Sequence, residues 1–285
     1  MIRIIKVNSI DKFASEIRPK QSQKNKLTVK SILNAVKKNG DDAIRKYEKK
    51  FGGANLKSLR VSDSEIKNAY SQVSKAEIKS LYMAKSRLEQ TEKTVRSLLK
   101  DRFVNISGVK VSKKFNPISS VGCYVPGGLA KYPSSVIMSV VPAKVAGVKR
   151  IVVVSPPNSK GKIDPLTIVA AKICGANEIY KTGGAQSIAA LSYGTKTIPR
   201  VDKIVGPGGA FVTAAKSMIS DHTGIDMLAG PTELAIIADN TADPRIVALD
   251  LISQAEHSSD TFCYLITTSM KLAKSVEKSV NELLS

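Results

Sequence analysis

Between Val121 and Gly209 the chain reads VGCYVPGG (121–128), RIVVVSPP (150–157), EIYKTGG (178–184) and DKIVGPGG (202–209), four short apolar runs that each end in glycine or proline. Between and after them lie SSVIMSVVPAKVAGV (134–148), DPLTIVAAKICGAN (164–177), AQSIAALSYGT (185–195) and AFVTAAKSMISD (210–221), where apolar residues recur at helical spacing. Strands alternating with helices give βαβ units and a parallel sheet covered on both faces. The strands are rich in Val and Ile without polar alternation, as strands buried on both faces should be. ELAIIAD (233–239), DPRIVALDLISQAEH (243–257), TFCYLITTS (261–269) and MKLAKSVEKSVNELL (270–284) repeat the pattern. Asp164-Pro165 and Asp243-Pro244 each supply an N-cap followed by proline at the first helical position.

Upstream, SILNAVKKNGDDAIRKYEKKF (31–51) carries Ile32, Val36, Ala43, Ile44 and Tyr47 on one stripe, broken at Asn39-Gly40. Residues 63–100 read as further helix, opened by Ser62 or Asp63 with Glu65 behind. The expected fold is α/β, a Rossmann-like, mostly parallel sheet with flanking helices preceded by an N-terminal helical region. The expected division is residues 1–119 for the helical region, 120–231 for the Rossmann-like domain and 232–285 for the start of a second, incomplete α/β domain.

Charge and cysteines limit the function classes. The chain carries 44 Lys and Arg against 24 Asp and Glu, a formal charge of +20. Residues 1–120 hold 28 basic and 11 acidic side chains. The lysines interleave with apolar residues at helical spacing, and aromatics are only 5% of the chain. No zinc-finger spacing or aromatic RNA-binding pattern accompanies them, so the charge reads as a solvated helical surface and not as a nucleic-acid site. No apolar run is long enough to span a bilayer and no secretory leader opens the chain, so no membrane role is expected. Three widely spaced cysteines, Cys123, Cys174 and Cys263, suggest no disulfide framework and fit the cytoplasm.

Glycine clusters where strands end: Pro126-Gly127-Gly128, Gly183-Gly184 and Gly206-Pro207-Gly208-Gly209. In open α/β sheets ligands bind in the crevice at the carboxyl ends of the strands, where glycine admits a cofactor and helix N-termini offer N–H groups to phosphate. Gly127, Gly184 and Gly208 are therefore expected on one rim. GPGGAF has phenylalanine where the usual dinucleotide fingerprint has its last glycine. The histidines are His222, read as a solvated loop residue, and His257, which shares a helix face with Gln254 and could share an ion with it. Cys123, flanked by Val and Tyr in a strand, reads as core and not as a nucleophile.

These segments, with IDMLAGPTELAIIAD (225–239) and DLISQAEH (250–257), resemble the histidinol dehydrogenase family in that family's order. The resemblance implies oxidation of L-histidinol to L-histidine through an aldehyde, with two NAD⁺ and a zinc ion, in the last steps of histidine biosynthesis, by a homodimer. It implies that Tyr124 and Gln186 contact NAD, and that Gly209 stands where the family has an NAD-contacting asparagine. Thr232 takes the place of a substrate-contacting serine, and Gln254 and His257 match two zinc ligands that also lie near substrate. The family's other zinc ligands, an aspartate and a histidine, and its Glu-His general bases match no residue here. The chain is accordingly expected to correspond to the family's first two thirds, with the remainder supplied by a missing C-terminal segment or a separate chain. Alone, it is expected to bind NAD weakly and to oxidise histidinol negligibly. The alternatives are a dehydrogenase of another small alcohol, of the dihydroxypropane sulfonate type, and a non-catalytic nucleotide-binding remnant.

Overall fold

The computed structural model describes residues 3–17, 23–127, 132–228, 233–256 and 261–284. Two compact units emerge. One is Gln23–Leu228, and the other combines Met1–Ser22 with Ala229–Ser285.

In chain order, α1 (Ile10–Ile17) belongs to the second unit, and the first unit opens with α2 (Gln23–Gly52), α3 (Asp63–Gln72) and α4 (Lys75–Leu98). The break expected at Asn39-Gly40 is a kink inside α2, where Gly40 has φ 52° and ψ −128°. Ser62 caps α3 with Glu65 closing the capping box. The helical stretch expected over 63–100 is two helices, because Ser74 and Glu77 form a second capping box that starts α4. A hairpin absent from the sequence reading follows, β1 (Arg102–Ile106) against β2 (Val109–Lys113), turning at Ser107 and Gly108, both at positive φ. Every residue of its two strands is exposed.

The sheet then forms as expected: β3 (Ser120–Tyr124), α5 (Pro133–Ala146), β4 (Arg150–Ser155), α6 (Pro165–Cys174), β5 (Glu178–Lys181), α7 (Gly184–Tyr193), β6 (Lys203–Val205), α8 (Ala210–Ile219) and β7 (Gly224–Ile225). All five strands are parallel, in the order β5-β4-β3-β6-β7. The chain moves outward from β3 to β5, then returns to place β6 on the other side of β3, so the topological switch point lies between β3 and β6.

Strand side chains alternate between two cores. Tyr124, Val152, Val154, Tyr180 and Ile204 pack with α2, α7 and α8, whereas Val121, Cys123, Ile151, Val153 and Ile179 pack with α3 to α6. The N-terminal helices thus cover both faces of the sheet, and the change of texture at residue 120 falls inside one compact unit. At the amino edge charged groups fasten the strands. Arg150 pairs through two nitrogens with Glu178, at 2.8 and 3.0 Å, and also donates to the carbonyls of Pro199 and Arg200. Asp202 accepts from the backbone N–H and the hydroxyl of Ser120.

In the second unit, β8 (Glu233–Ile237) and β9 (Phe262–Ile266) form a two-stranded parallel sheet against α9 (Pro244–Ala255) and α10 (Met270–Leu284). Leu234, Ile236, Cys263 and Leu265 face the core of Val247, Ala248, Leu251, Leu272, Val276 and Val280. On this unit Ile237 is 82% exposed, and Phe262 and Ile266 are about half exposed.

The proline-led helices start as the sequence indicates. Asp164 accepts from Leu166 and Thr167 N–H at α6, and Asp243 from Arg245 N–H at α9. Asp164→Ala is expected to lower the unfolding free energy by about 1 kcal/mol. Denaturant titration measures it, and an unshifted midpoint would show that the cap contributes nothing.

Candidate functional site at the carboxyl rim of the sheet

The carboxyl ends of β3, β4, β5 and β6 crowd together, and glycine is what lets them do so. Pro156, just past β4, occupies the space where a Cβ on Gly127 or Gly183 would stand, at 2.8 and 2.5 Å from its side-chain carbons. Across the switch point Gly206 has φ 113°, and a Cβ there would lie 2.1 Å from the carbonyl oxygen of Tyr124. The glycine turns at Gly127, Gly184 and Gly208 follow β3, β5 and β6 on this one rim, as the sequence indicated. Gly128 lies outside the described residues.

Tyr124 closes β3 and is 5% exposed. Its hydroxyl accepts from Gly184 N–H at 3.4 Å. Burial pushes the phenol up to about 12, so it stays protonated and can still donate. Gln186, in the first turn of α7, is 4% exposed and is not a free side chain, because its Nε2 donates to Glu48 Oε1 at 2.9 Å. The same carboxylate oxygen accepts from Thr182 Oγ1 at 2.8 Å and Gly183 N–H at 2.9 Å. Burial raises the Glu48 carboxyl above its ordinary value, against the pull of these three donors.

An ion pair whose lysine is buried stands under the next turn. Lys216 of α8 is 1% exposed and donates to the Gly206 carbonyl at 3.0 Å and to Asp226. Asp226 in turn accepts from Gly206 N–H at 2.8 Å. Both polar groups of Gly206 are therefore held by one ion pair.

Helix starts differ around the rim. The N-caps of α5, α7 and α8 are Tyr132, Gly183 and Gly209, and none makes a side-chain cap bond. The aspartate on α6 contrasts with them. Nothing lies within 4 Å of where a Cβ on Gly209 would stand. A helix start without its own cap retains N–H donors and the positive end of its dipole for an anion such as a diphosphate.

Other expected positions fare differently. Cys123 is fully buried and its thiol is pushed up to about 12 by burial, which fits a core residue. His222 is exposed, with Nδ1 3.3 Å from Ser192 Oγ and its ring edge-on to Tyr193. Gln254 is half-buried in the last turn of α9, in the second unit. Thr232 and His257 lie outside the described residues. Among the described residues no three His, Cys, Asp or Glu side chains gather to hold a metal. Nor is any helix among them long and apolar enough to cross a membrane. The sequence reading missed Glu48, Lys216 and Asp226.

Comparison with known proteins adds the family context. The family model described as histidinol dehydrogenase matches residues 16–285. A histidinol dehydrogenase of Methanocaldococcus jannaschii is 46% identical over 255 residues, covering 90% of this chain and 59% of that protein. One of Clostridium acetobutylicum is 43% identical over 287 residues, covering 98% of this chain and 66% of that protein. The crystal structure of histidinol dehydrogenase from Elizabethkingia anophelis superposes with a TM-score of 0.86 at 37% identity, over 97% of this chain and 64% of that one. The chain thus spans roughly three fifths to two thirds of these relatives.

Proposed function

Because the chain belongs to the histidinol dehydrogenase family, we propose that its glycine-lined rim is the NAD crevice of an enzyme that oxidises L-histidinol to L-histidine. The observation that carries this reading is the switch point itself. Tyr124, at the end of β3 beside that point, reaches the Gly183-Gly184 turn that leads to Gln186, and α7 and α8 both start at glycines without side-chain caps. Doubly wound sheets bind dinucleotides at such a point. When bound, NAD⁺ would supply the hydride acceptor, one molecule for the alcohol and a second for the aldehyde stage. The chain's own contribution is to seat the diphosphate on helix N–H groups and to keep a protonated phenol at the turn.

Gln254 and His257, on one helix face, supply two of the zinc ligands in this reading, and Thr232 supplies a substrate contact. Two ligands fall short of the three protein groups a catalytic zinc takes, so the described residues do not by themselves build that site. A homodimer in the cytoplasm completes the proposal. The relatives compared all bear the histidinol dehydrogenase name, so a different small alcohol is not favoured.

Calorimetric titration with NAD⁺ tests the crevice, with saturable binding as the expected result. Gly209→Asn is expected to tighten that binding by roughly 2–10-fold, the worth of one added hydrogen bond. The backbone there has φ −64° and open space at Cβ, so the side chain enters without strain. Absence of saturable binding in both proteins would overturn the NAD assignment. The reaction is tested by following NADH absorbance with L-histidinol, NAD⁺ and zinc. NADH formation that favours another alcohol over histidinol would overturn the substrate.

A further inference from the structure

Glu48 is 3% exposed, and its Oε1 receives all three of its hydrogen bonds from one turn: Thr182 Oγ1, Gly183 N–H and Gln186 Nε2. The residue comes from α2, more than 130 positions earlier in the chain. An ionised carboxylate can only accept, whereas an amide has a donor end and an acceptor end. Glu48 therefore settles which way the Gln186 amide faces. Nε2 turns in toward the carboxylate, and Oε1 is left over the Gly183-Gly184 turn, 3.0 Å from where a Cβ on Gly184 would stand.

We infer that Glu48 is a positioning residue of the crevice, one that holds the Gly183-Gly184 turn and fixes Gln186 with its oxygen toward the ligand. The inference rests on the NAD reading given above. Its consequence is chemical: at Gln186 the protein offers an acceptor, so the ligand group seated there is a donor, such as a ribose hydroxyl or a carboxamide N–H. Glu48 itself touches no ligand and acts only through the turn.

The test uses three variants, Glu48→Ala, Glu48→Gln and Gln186→Glu. NAD⁺ binding is titrated for each at a temperature well below the lowest melting transition of the set. Glu48→Ala is expected to weaken binding about 10-fold or more, the usual effect of losing a hydrogen bond to a charged group. Glu48→Gln keeps an acceptor oxygen for the turn and is expected to stay within about 3-fold of the original protein. Gln186→Glu sets two carboxylates against each other and is expected to weaken binding as Glu48→Ala does.

A purely stabilising role for Glu48 would lower the melting temperature and leave the affinity of the folded protein unchanged. Unchanged affinity in folded Glu48→Ala, or in folded Gln186→Glu, overturns the inference. A second readout does not depend on NAD⁺. In ¹H–¹⁵N spectra the Gln186 side-chain amide should be shifted and slow to exchange, and should lose both properties in Glu48→Ala. If the original protein binds no NAD⁺, the cofactor reading fails, and this amide signal still decides whether Glu48 orients Gln186. An amide signal that Glu48→Ala leaves unchanged overturns the inference as well.

Discussion

Replacing Lys216 with methionine is expected to lower the unfolding free energy by about 3 kcal/mol, the lower end of the range for breaking a buried ion pair by removing one partner. The ammonium is essentially enclosed, whereas the Asp226 side chain keeps 27% of its exposure, and water can partly re-solvate it when the lysine is gone. What remains is a carboxylate held by the backbone N–H groups of Gly206 and Met227 and no longer balanced by charge. The double variant Lys216→Met/Asp226→Asn should be more stable than Lys216→Met alone, because no half of the pair is left charged.

The pH dependence has a definite sign. Burial pushes the Asp226 carboxyl up, but hydrogen bonds from Lys216, Gly206 and Met227 and the lysine charge bring it below its ordinary value. A depressed carboxyl stabilises the fold above the unfolded value of about 3.9 and loses that contribution as pH falls through the folded value. The difference between the original protein and Lys216→Met should therefore be full near neutrality and shrink below about pH 4. Chemical denaturation at pH 7 and in the acid range measures both. A difference under about 1 kcal/mol at pH 7 would show that the pair only breaks even.

Gly206→Ala is expected to be at least as damaging, about 4 kcal/mol or more, and to cost NAD⁺ affinity in whatever fraction folds. Two penalties combine. The backbone at φ 113° is one that L-residues rarely adopt, and the new methyl would stand 2.1 Å from the Tyr124 carbonyl oxygen. Because that obstacle is backbone in β3, no rotamer change relieves it, and β3 must part from β6. Gly209→Ala is the matched control, since its Cβ meets nothing within 4 Å, and it should shift stability by no more than about 0.5 kcal/mol. If the two alanine variants unfold at the same denaturant concentration, the close approach at the switch point is not what glycine serves.

Much of this molecule could be read from the chain. Apolar runs ending in glycine located the strands, and Ser62, Asp164 and Asp243 located helix starts, because both signals are local. The hairpin at 102–113 escaped notice although Val104-Asn105-Ile106 and Val109-Lys110-Val111 alternate, because each strand has only five residues and neither strand is buried. Lys216 was open to detection. It sits four residues after Val212 and three before Ile219, both buried, so its spacing placed it on the core-facing stripe of α8. Glu48 was not, since a glutamate within KYEKK is indistinguishable by spacing from its solvated neighbours, and only the fold brings Thr182 and Gly183 to it. Tyr124 and Gln186 came from resemblance. What the structure contributes is that one end of the Gln186 amide is already occupied.

The missing side-chain caps on α5, α7 and α8 bear on how fast a ligand arrives. The starts of α5 and α8 each carry roughly half a positive elementary charge, which an aspartate cap such as that of α6 would cancel at close range, whereas at α7 the Glu48 carboxylate on Gly183 N–H offsets part of it. These helix starts add potential at one rim of a chain whose formal charge is already +20. Salt reaches the two sources differently: the diffuse lysine field fades beyond a Debye length of about 8 Å at physiological ionic strength, whereas dipoles fixed at the floor of a crevice act inside it. A dinucleotide diphosphate would thus be drawn toward the protein by a salt-sensitive field and held at the rim by a salt-resistant one.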